Sequence, residues 1–86
     1  MVRDVADRLK NQGYDVDADV DGYTQPSTIN GYRPDVIAVK DGKTKIIEIE
    51  TPDSVDSTRD KKQQNAFRKA ADKNSDTSFQ RYVTRR

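Results

Sequence analysis

The sequence contains no cysteine, no histidine and no tryptophan. The absence of cysteine and histidine excludes disulfide bonds, thiolate zinc sites, cysteine nucleophiles and histidine-based catalytic triads. Any metal site in this chain must therefore use oxygen ligands. Apolar runs reach only about four residues, and the first residues lack the apolar core of a signal peptide. We expect a cytoplasmic protein that does not enter a membrane.

An excess of charge of one sign is also missing. Sixteen basic and fifteen acidic residues leave a formal net charge of +1, so the overall charge does not indicate a nucleic-acid partner. Most of the basic residues lie after position 58, at Arg59, Lys61, Lys62, Arg68, Lys69, Lys73, Arg81, Arg85 and Arg86. Two interpretations of them stay open, a solvated helix face with a basic tail and a local surface that contacts phosphates.

The apolar content is low, at 31% of 86 residues. A chain of this length forms one domain, here residues 1–86, and buries only about 60–70% of the surface of its unfolded state. Because the core must be thin, we expect a homodimer, in which a further patch is buried between two copies.

Periodicity predicts the order of the elements. Apolar residues at helical spacing predict a helix from Val2 to Gln12, and alternation predicts a strand over 14–21, followed by a turn-rich loop over 22–32. Strands over 36–39 and 46–49 follow, then a helix capped at Ser57 that ends near Asn74, and a last strand over 78–84. This αβββαβ order predicts an α/β fold with a mixed four-stranded sheet flanked by helices, whose last strand lies parallel to the third.

The two central strands are joined at Asp41-Gly42, a strong signal for a two-residue hairpin loop. This loop pairs Lys40 with Lys43, and the same register places Asp35 opposite Glu48 and Arg33 opposite Glu50. Directly opposed residues hold their Cβ atoms roughly 4.5–5.5 Å apart, so the carboxylates of Asp35 and Glu48 would repel. Either the register slips or a positive group lies between them, and a divalent cation such as Mg²⁺ is the obvious candidate.

The second helix has an apolar stripe of Ala66, Phe67, Ala70 and Ala71. Extending this stripe by one turn towards the N-terminus brings in Gln63. A glutamine is therefore predicted to point inward, towards the end of the sheet where the carboxylates gather.

Pro34-Asp35, followed thirteen positions later by Glu48-Ile49-Glu50 in an αβββαβ order, resembles the PD-(D/E)XK nuclease superfamily. Gln63, with the aromatic Phe67 four residues on, is similar to a pair that this family often carries. The resemblance implies a restriction-endonuclease-like fold and a DNA endonuclease that depends on Mg²⁺, with Mn²⁺ as a substitute. It further implies that Asp35, Glu48 and the main-chain carbonyl of Ile49 bind the metal, and that Gln63 orients the attacking water or contacts the phosphate.

Glu50 departs from the family pattern, because most members have a lysine at this position. A glutamate can accept a proton or bind a second metal, but it cannot supply positive charge. Some restriction enzymes of the superfamily carry glutamate here, so activity remains an expectation. Lys62 or Arg33 would then supply the charge, although Arg33 and Glu50 equally fit a simple cross-strand ion pair.

Three functions are therefore open. The first is a metal-dependent endonuclease, which as a dimer would cut one strand of DNA with each subunit. The second is a nuclease-like module without catalysis, which binds nucleic acid or a protein partner. The third is a structural or interaction domain in which the acidic residues are only surface charge.

Overall fold

The structure is a computed structural model that describes residues 2–50 and 58–83. Its elements are α1 (Val2–Asn11), β1 (Asp15–Ala18), β2 (Val36–Lys40), β3 (Lys43–Glu50), α2 (Thr58–Lys73) and β4 (Thr77–Val83). The strands form one sheet in the order β1-β2-β3-β4, in which only β3 and β4 are parallel. The predicted α/β fold, with its mixed four-stranded sheet and flanking helices, is confirmed. The predicted cap at Ser57 lies outside the described residues.

The turn between β2 and β3 has the conformation that its sequence predicts. Asp41 and Gly42 both have positive φ angles, 53° and 77°. Positive φ at both central residues is the mark of the hairpin turn whose twist matches that of the paired strands. Lys40 pairs with Lys43 and Val36 with Ile47, so the predicted register of the hairpin is confirmed.

One face of the sheet, which we call the α1 face, carries an apolar core. Val5, Ala6 and Leu9 of the helix are buried against strand residues. Those strand residues are Ala18, Val36, Ala38 and Ile47. Each fully buried large aliphatic side chain contributes about 1.5–3 kcal/mol to folding, so this packing is the main source of stability.

The opposite face, which we call the α2 face, is apolar only in part. Ile46 and Phe67 are buried there, and the ring of Phe67 packs against that of Phe79 with centroids 5.7 Å apart. Because side chains alternate along a strand, Glu48 and Glu50 lie on the same face as Ile46. The α2 face therefore changes from apolar to acidic along β3.

The loop before β2 folds back onto the α1 face. Tyr23 packs against the core of the α1 face, and its hydroxyl donates a hydrogen bond to Asp7. Among the described residues, no helix is both long and apolar enough to cross a membrane.

Candidate metal and phosphodiester site

Asp35 is held in place by the backbone around it. The preceding residue, Pro34, is fully buried, and the carbonyl oxygen of Asp35 accepts a hydrogen bond of 2.9 Å from the N–H of Asp19. These contacts fix the chain one residue before β2 begins. The direction in which the carboxylate leaves the backbone is therefore set by the fold.

The carboxylate of Asp35 reaches across to β3. Its Oδ2 atom accepts a hydrogen bond of 2.8 Å from the N–H of Ile49. The ladder between β2 and β3 ends at the pair of Val36 and Ile47. The hydrogen bond to Asp35 therefore satisfies the N–H of Ile49, which lies just beyond the ladder. Continuing the register by one step places Asp35 opposite Glu48, as the sequence predicts.

Glu48 and Glu50 are both buried, each with 5% of its surface exposed. Burial of a carboxyl group is unusual without compensation, because the ionised form loses its hydration. The α2 face thus has two buried glutamates beside the partly buried Asp35.

The proximity of these carboxyls changes their acidity. Burial raises the pKa of Glu48 to about 8, and the negative charges of Asp35 and Glu50 contribute to the rise. Burial also raises the pKa of Asp35, although the hydrogen bond from Ile49 opposes the rise. With a pKa of about 8, Glu48 is therefore mostly protonated at neutral pH when no metal is bound.

One oxygen of this pair has no hydrogen-bond partner among the described residues. Glu48 Oε1 is buried and accepts no hydrogen bond from the described residues. A buried acceptor without a partner costs about 1–3 kcal/mol, so a proton or a cation at this oxygen would be stabilising. Two carboxylates with a free oxygen fit Mg²⁺, which is usually held by one or two carboxylates together with water.

A larger acidic metal cluster is not seen. Across residues 2–50 and 58–83, no group of three or more Asp, Glu, His or Cys side chains is placed to hold a metal ion. The site consists of Asp35 and Glu48, and Glu50 does not complete a third carboxylate ligand. A second metal bound through Glu50 therefore has no support.

The expected pairing of Arg33 with Glu50 is wrong as a strand pair. β2 begins at Val36, so Arg33 lies outside the ladder, and its Nε atom donates a hydrogen bond of 3.1 Å to the carbonyl of Pro26. The pairing of β2 with β3 does not extend back to Arg33, because the buried Pro34 has no N–H to donate to the ladder.

The apolar stripe of the second helix predicts that Gln63 points inward, but its neighbour Gln64 is the more buried of the two glutamines. Gln63 is half-buried, whereas Gln64 is buried, with 9% of its surface exposed. Lys62 is exposed. Gln64 lies three residues before Phe67, which places both on one side of the helix, and this spacing is the sequence signal for its burial.

The position of Arg81 could not be read from local sequence. In the parallel ladder between β3 and β4, Arg81 pairs with Glu48. Paired residues point to the same face of a sheet, so the side chains of Arg81 and the buried Glu48 lie on the same face, on neighbouring strands.

Comparison with protein-family models gives no match to this chain, and comparison with curated proteins finds no similar sequence. The resemblance to PD-(D/E)XK nucleases stays a prediction that rests on the motif residues.

Proposed function

We propose that the protein is a DNA endonuclease that uses Mg²⁺ or Mn²⁺ to hydrolyse phosphodiester bonds. The observation that carries this proposal is the pairing of the partly buried Asp35 with the buried Glu48, whose Oε1 has no hydrogen-bond partner among the described residues. Folding alone gives no reason to bury two carboxyls side by side. A site for a divalent cation gives one, because the cation replaces their repulsion with attraction.

Asp35, Glu48 and the main-chain carbonyl of Ile49 would hold the cation. The N–H of Ile49 bonds to Asp35, and the N–H and C=O of a strand residue point to the same side of the strand, so this carbonyl faces the side of Asp35. When bound, the cation would lower the pKa of a water molecule and offset the charge that develops on the phosphate.

The remaining residues would handle the proton and the charge. Water would attack phosphorus and give a proton to Glu50, which lies two residues beyond Glu48 on β3. The bond from phosphorus to the leaving oxygen would break, and that oxygen would take up a proton from solvent. Gln63 would orient the water or contact the phosphate. Arg81, beside Glu48 in the sheet, is a source of positive charge in place of the family's lysine, together with the exposed Lys62.

The direct test is cleavage of duplex, flap and four-way-junction DNA with Mg²⁺ or Mn²⁺. Asp35→Asn keeps the shape of the side chain and removes its charge, and we expect a loss of at least about 100-fold in rate, since even indirect ligand partners are typically worth 10–100-fold. Asp15→Asn is the matched control, because Asp15 is an exposed aspartate on β1. Wild-type protein that cuts no substrate faster than Asp35→Asn would overturn the proposal.

The alternative is a nuclease-like module that binds nucleic acid or a protein without cutting. The observation that favours it is Glu50, a buried acid where the family has a lysine. A protein that binds DNA in the presence of Mg²⁺, but cuts neither duplex nor branched DNA at any metal concentration, would select this alternative.

A homodimer would allow two such sites to act on the two strands. β4 is an edge strand, and its Tyr82 and Val83 are 41% and 47% exposed. Exposed edges and apolar side chains are the features through which small sheets associate. Light scattering after size-exclusion chromatography should give twice the mass of the chain, and a monomer at all concentrations would exclude the dimer.

A further inference from the structure

A groove of about 410 Å³ lies between α2 and the turn that precedes β2. It is lined by Asn30, Tyr32, Lys62, Asn65, Ala66, Lys69 and Lys73. Three of these side chains are basic, two are amides and none is acidic. The groove is therefore a concave surface of one charge sign in a chain whose total charge is nearly zero.

The side of the groove opposite α2 is a turn over residues 29–32 that is held by hydrogen bonds. Ile29 and Tyr32 exchange two main-chain hydrogen bonds of 2.7 Å and 3.0 Å, around a turn in which Asn30 and Gly31 have φ angles of 51° and 85°. The side chain of Asn30 then donates a hydrogen bond of 3.1 Å to the carbonyl of Ala66 in α2. The groove is thus preformed.

The lysines follow one line along the helix. Positions 62, 69 and 73 fall within roughly 40° of one another around an α-helix, and a rise of about 1.5 Å per residue places the first and last about 16 Å apart. Phosphates of one DNA strand advance by about 3.4 Å per nucleotide along the duplex axis. The strand also winds around that axis, so a straight row of this length is long enough to contact more than one phosphate but not every phosphate in the stretch.

The groove leads towards the carboxylate site. The N–H of Thr44 donates a hydrogen bond of 2.8 Å to the carbonyl of Asp76, so the chain after α2 returns beside the start of β3. α2 has 16 residues and β3 has 8, which give both a length of about 25 Å. Lys73 accordingly lies towards the start of β3, and Lys62 lies towards the end that carries Glu48.

Another lysine-lined cavity, at the hairpin end of the sheet, differs in charge. Its lining contains Asp41 and Asp76 as well as lysines. Lys40 donates a hydrogen bond to the carbonyl of Gln12, and the ammonium groups of Lys40 and Lys45 both lie over the ring of Tyr14. These lysines already serve internal contacts, so that cavity does not favour a polyanion.

We infer that the groove of Lys62, Lys69 and Lys73 binds the phosphate backbone of duplex DNA and leads one strand to the site of Asp35 and Glu48. The inference deepens the proposed function and rests on it for the choice of substrate. Binding itself is measurable without cleavage, so the two can fail separately.

The experiment measures binding of a fluorescent DNA duplex in Ca²⁺ at several salt concentrations. Lys69→Gln/Lys73→Gln should reduce the slope of log K against log salt by about 1.8, because each phosphate contact contributes about 0.9. It should also weaken binding at low salt by at least about tenfold. Arg8→Gln/Lys43→Gln removes the same charge from exposed positions outside the groove and should leave the slope unchanged.

A charge-preserving variant keeps the test decisive. Lys69→Arg/Lys73→Arg should retain the wild-type slope. Melting curves should show that all three double variants are folded, since every substituted position is exposed. If the wild-type protein binds no duplex, or if the glutamine variant keeps the wild-type slope, the inference is overturned. Tighter binding of an RNA duplex of the same sequence would overturn the choice of DNA.

The outcomes also separate the groove from the chemistry. If the protein binds DNA through the lysines but never cuts it, the inference about the groove holds and the endonuclease proposal is wrong. If the protein cuts DNA and Lys69→Gln/Lys73→Gln binds DNA as well as the wild type, the inference about the groove is wrong and the endonuclease proposal holds.

Discussion

The two faces of the sheet are built on opposite principles. On the α1 face, Val36 and Ile47 belong to a cluster of buried apolar residues, and the burial of their side chains stabilises the fold. On the α2 face, Glu48 and Glu50 are buried on the same strand that buries Ile46. The first face stabilises the fold, whereas the second carries the cost of burying carboxyl groups, a cost that is typical of functional sites.

The largest expected effect is on the α1 face. Ile47→Ala should destabilise the protein by about 2–5 kcal/mol, because it leaves a cavity at a position with no exposed surface. Ile37→Ala is the matched control, since Ile37 is half-buried on the neighbouring strand and should cost less. Denaturant unfolding measures both. Equal losses would show that the two faces do not differ in packing.

The second effect is a dependence on pH that the α1 face cannot have. The folded-state pKa of Glu48, about 8, is above the ordinary value of 4.5, so between these values the folded protein binds more protons than the unfolded chain. Stability without metal should therefore be greatest below about pH 4.5 for this group and should fall as the pH rises towards 8, by at most about 1.4 kcal/mol per pH unit. Thermal melts in EDTA from pH 5 to 8 measure this, and stability that is flat or rises over this range would contradict it.

Glu48→Gln should stabilise the metal-free protein at pH 8 by about 1–3 kcal/mol, because the amide carries no charge and its N–H can donate to Asp35. The gain should shrink near pH 5, where Glu48 of the wild type is already protonated. Asp15→Asn, at an exposed position, should change stability by less than about 0.5 kcal/mol. A loss of stability in Glu48→Gln at pH 8 would mean that the ionised carboxylate is already compensated by the protein.

The smallest effect concerns the turn that joins β2 to β3 and sets their register. Gly42→Ala should cost about 1–2 kcal/mol, because φ at this position is +77° and an L-residue is strained there, although a Cβ would meet no neighbour within 4 Å. Unfolding measurements on the purified variant give the value. A neutral effect would show that the turn relaxes easily and that the register is set elsewhere.

The sequence predicted what local signals determine. Asp41-Gly42 fixes the hairpin turn, the turn fixes the register, and the register brings Asp35 to Glu48. Alternation and helical spacing were enough for the order of elements and for the apolar α1 face. Each of these rests on residues close together in the chain.

Features that depend on distant parts of the chain were not predictable in the same way. The alignment of Arg81 with Glu48 belongs to a parallel pair, which has no tight turn to set its register. The burial of Gln64 depends on how α2 rotates against the sheet. The turn of Arg33 towards Pro26 depends on packing of Pro34, which pattern alone does not show.

The central claim is that Asp35 and Glu48 form a site for a divalent cation. Calorimetric titration of Mn²⁺ into the metal-free protein at pH 7.5–8, a range set by the raised pKa of Glu48, tests it most directly. We predict one ion per chain, with binding lost in Asp35→Asn and in Glu48→Gln and retained in Asp15→Asn. Absence of binding in the wild type, or equal binding in all four proteins, would contradict the account.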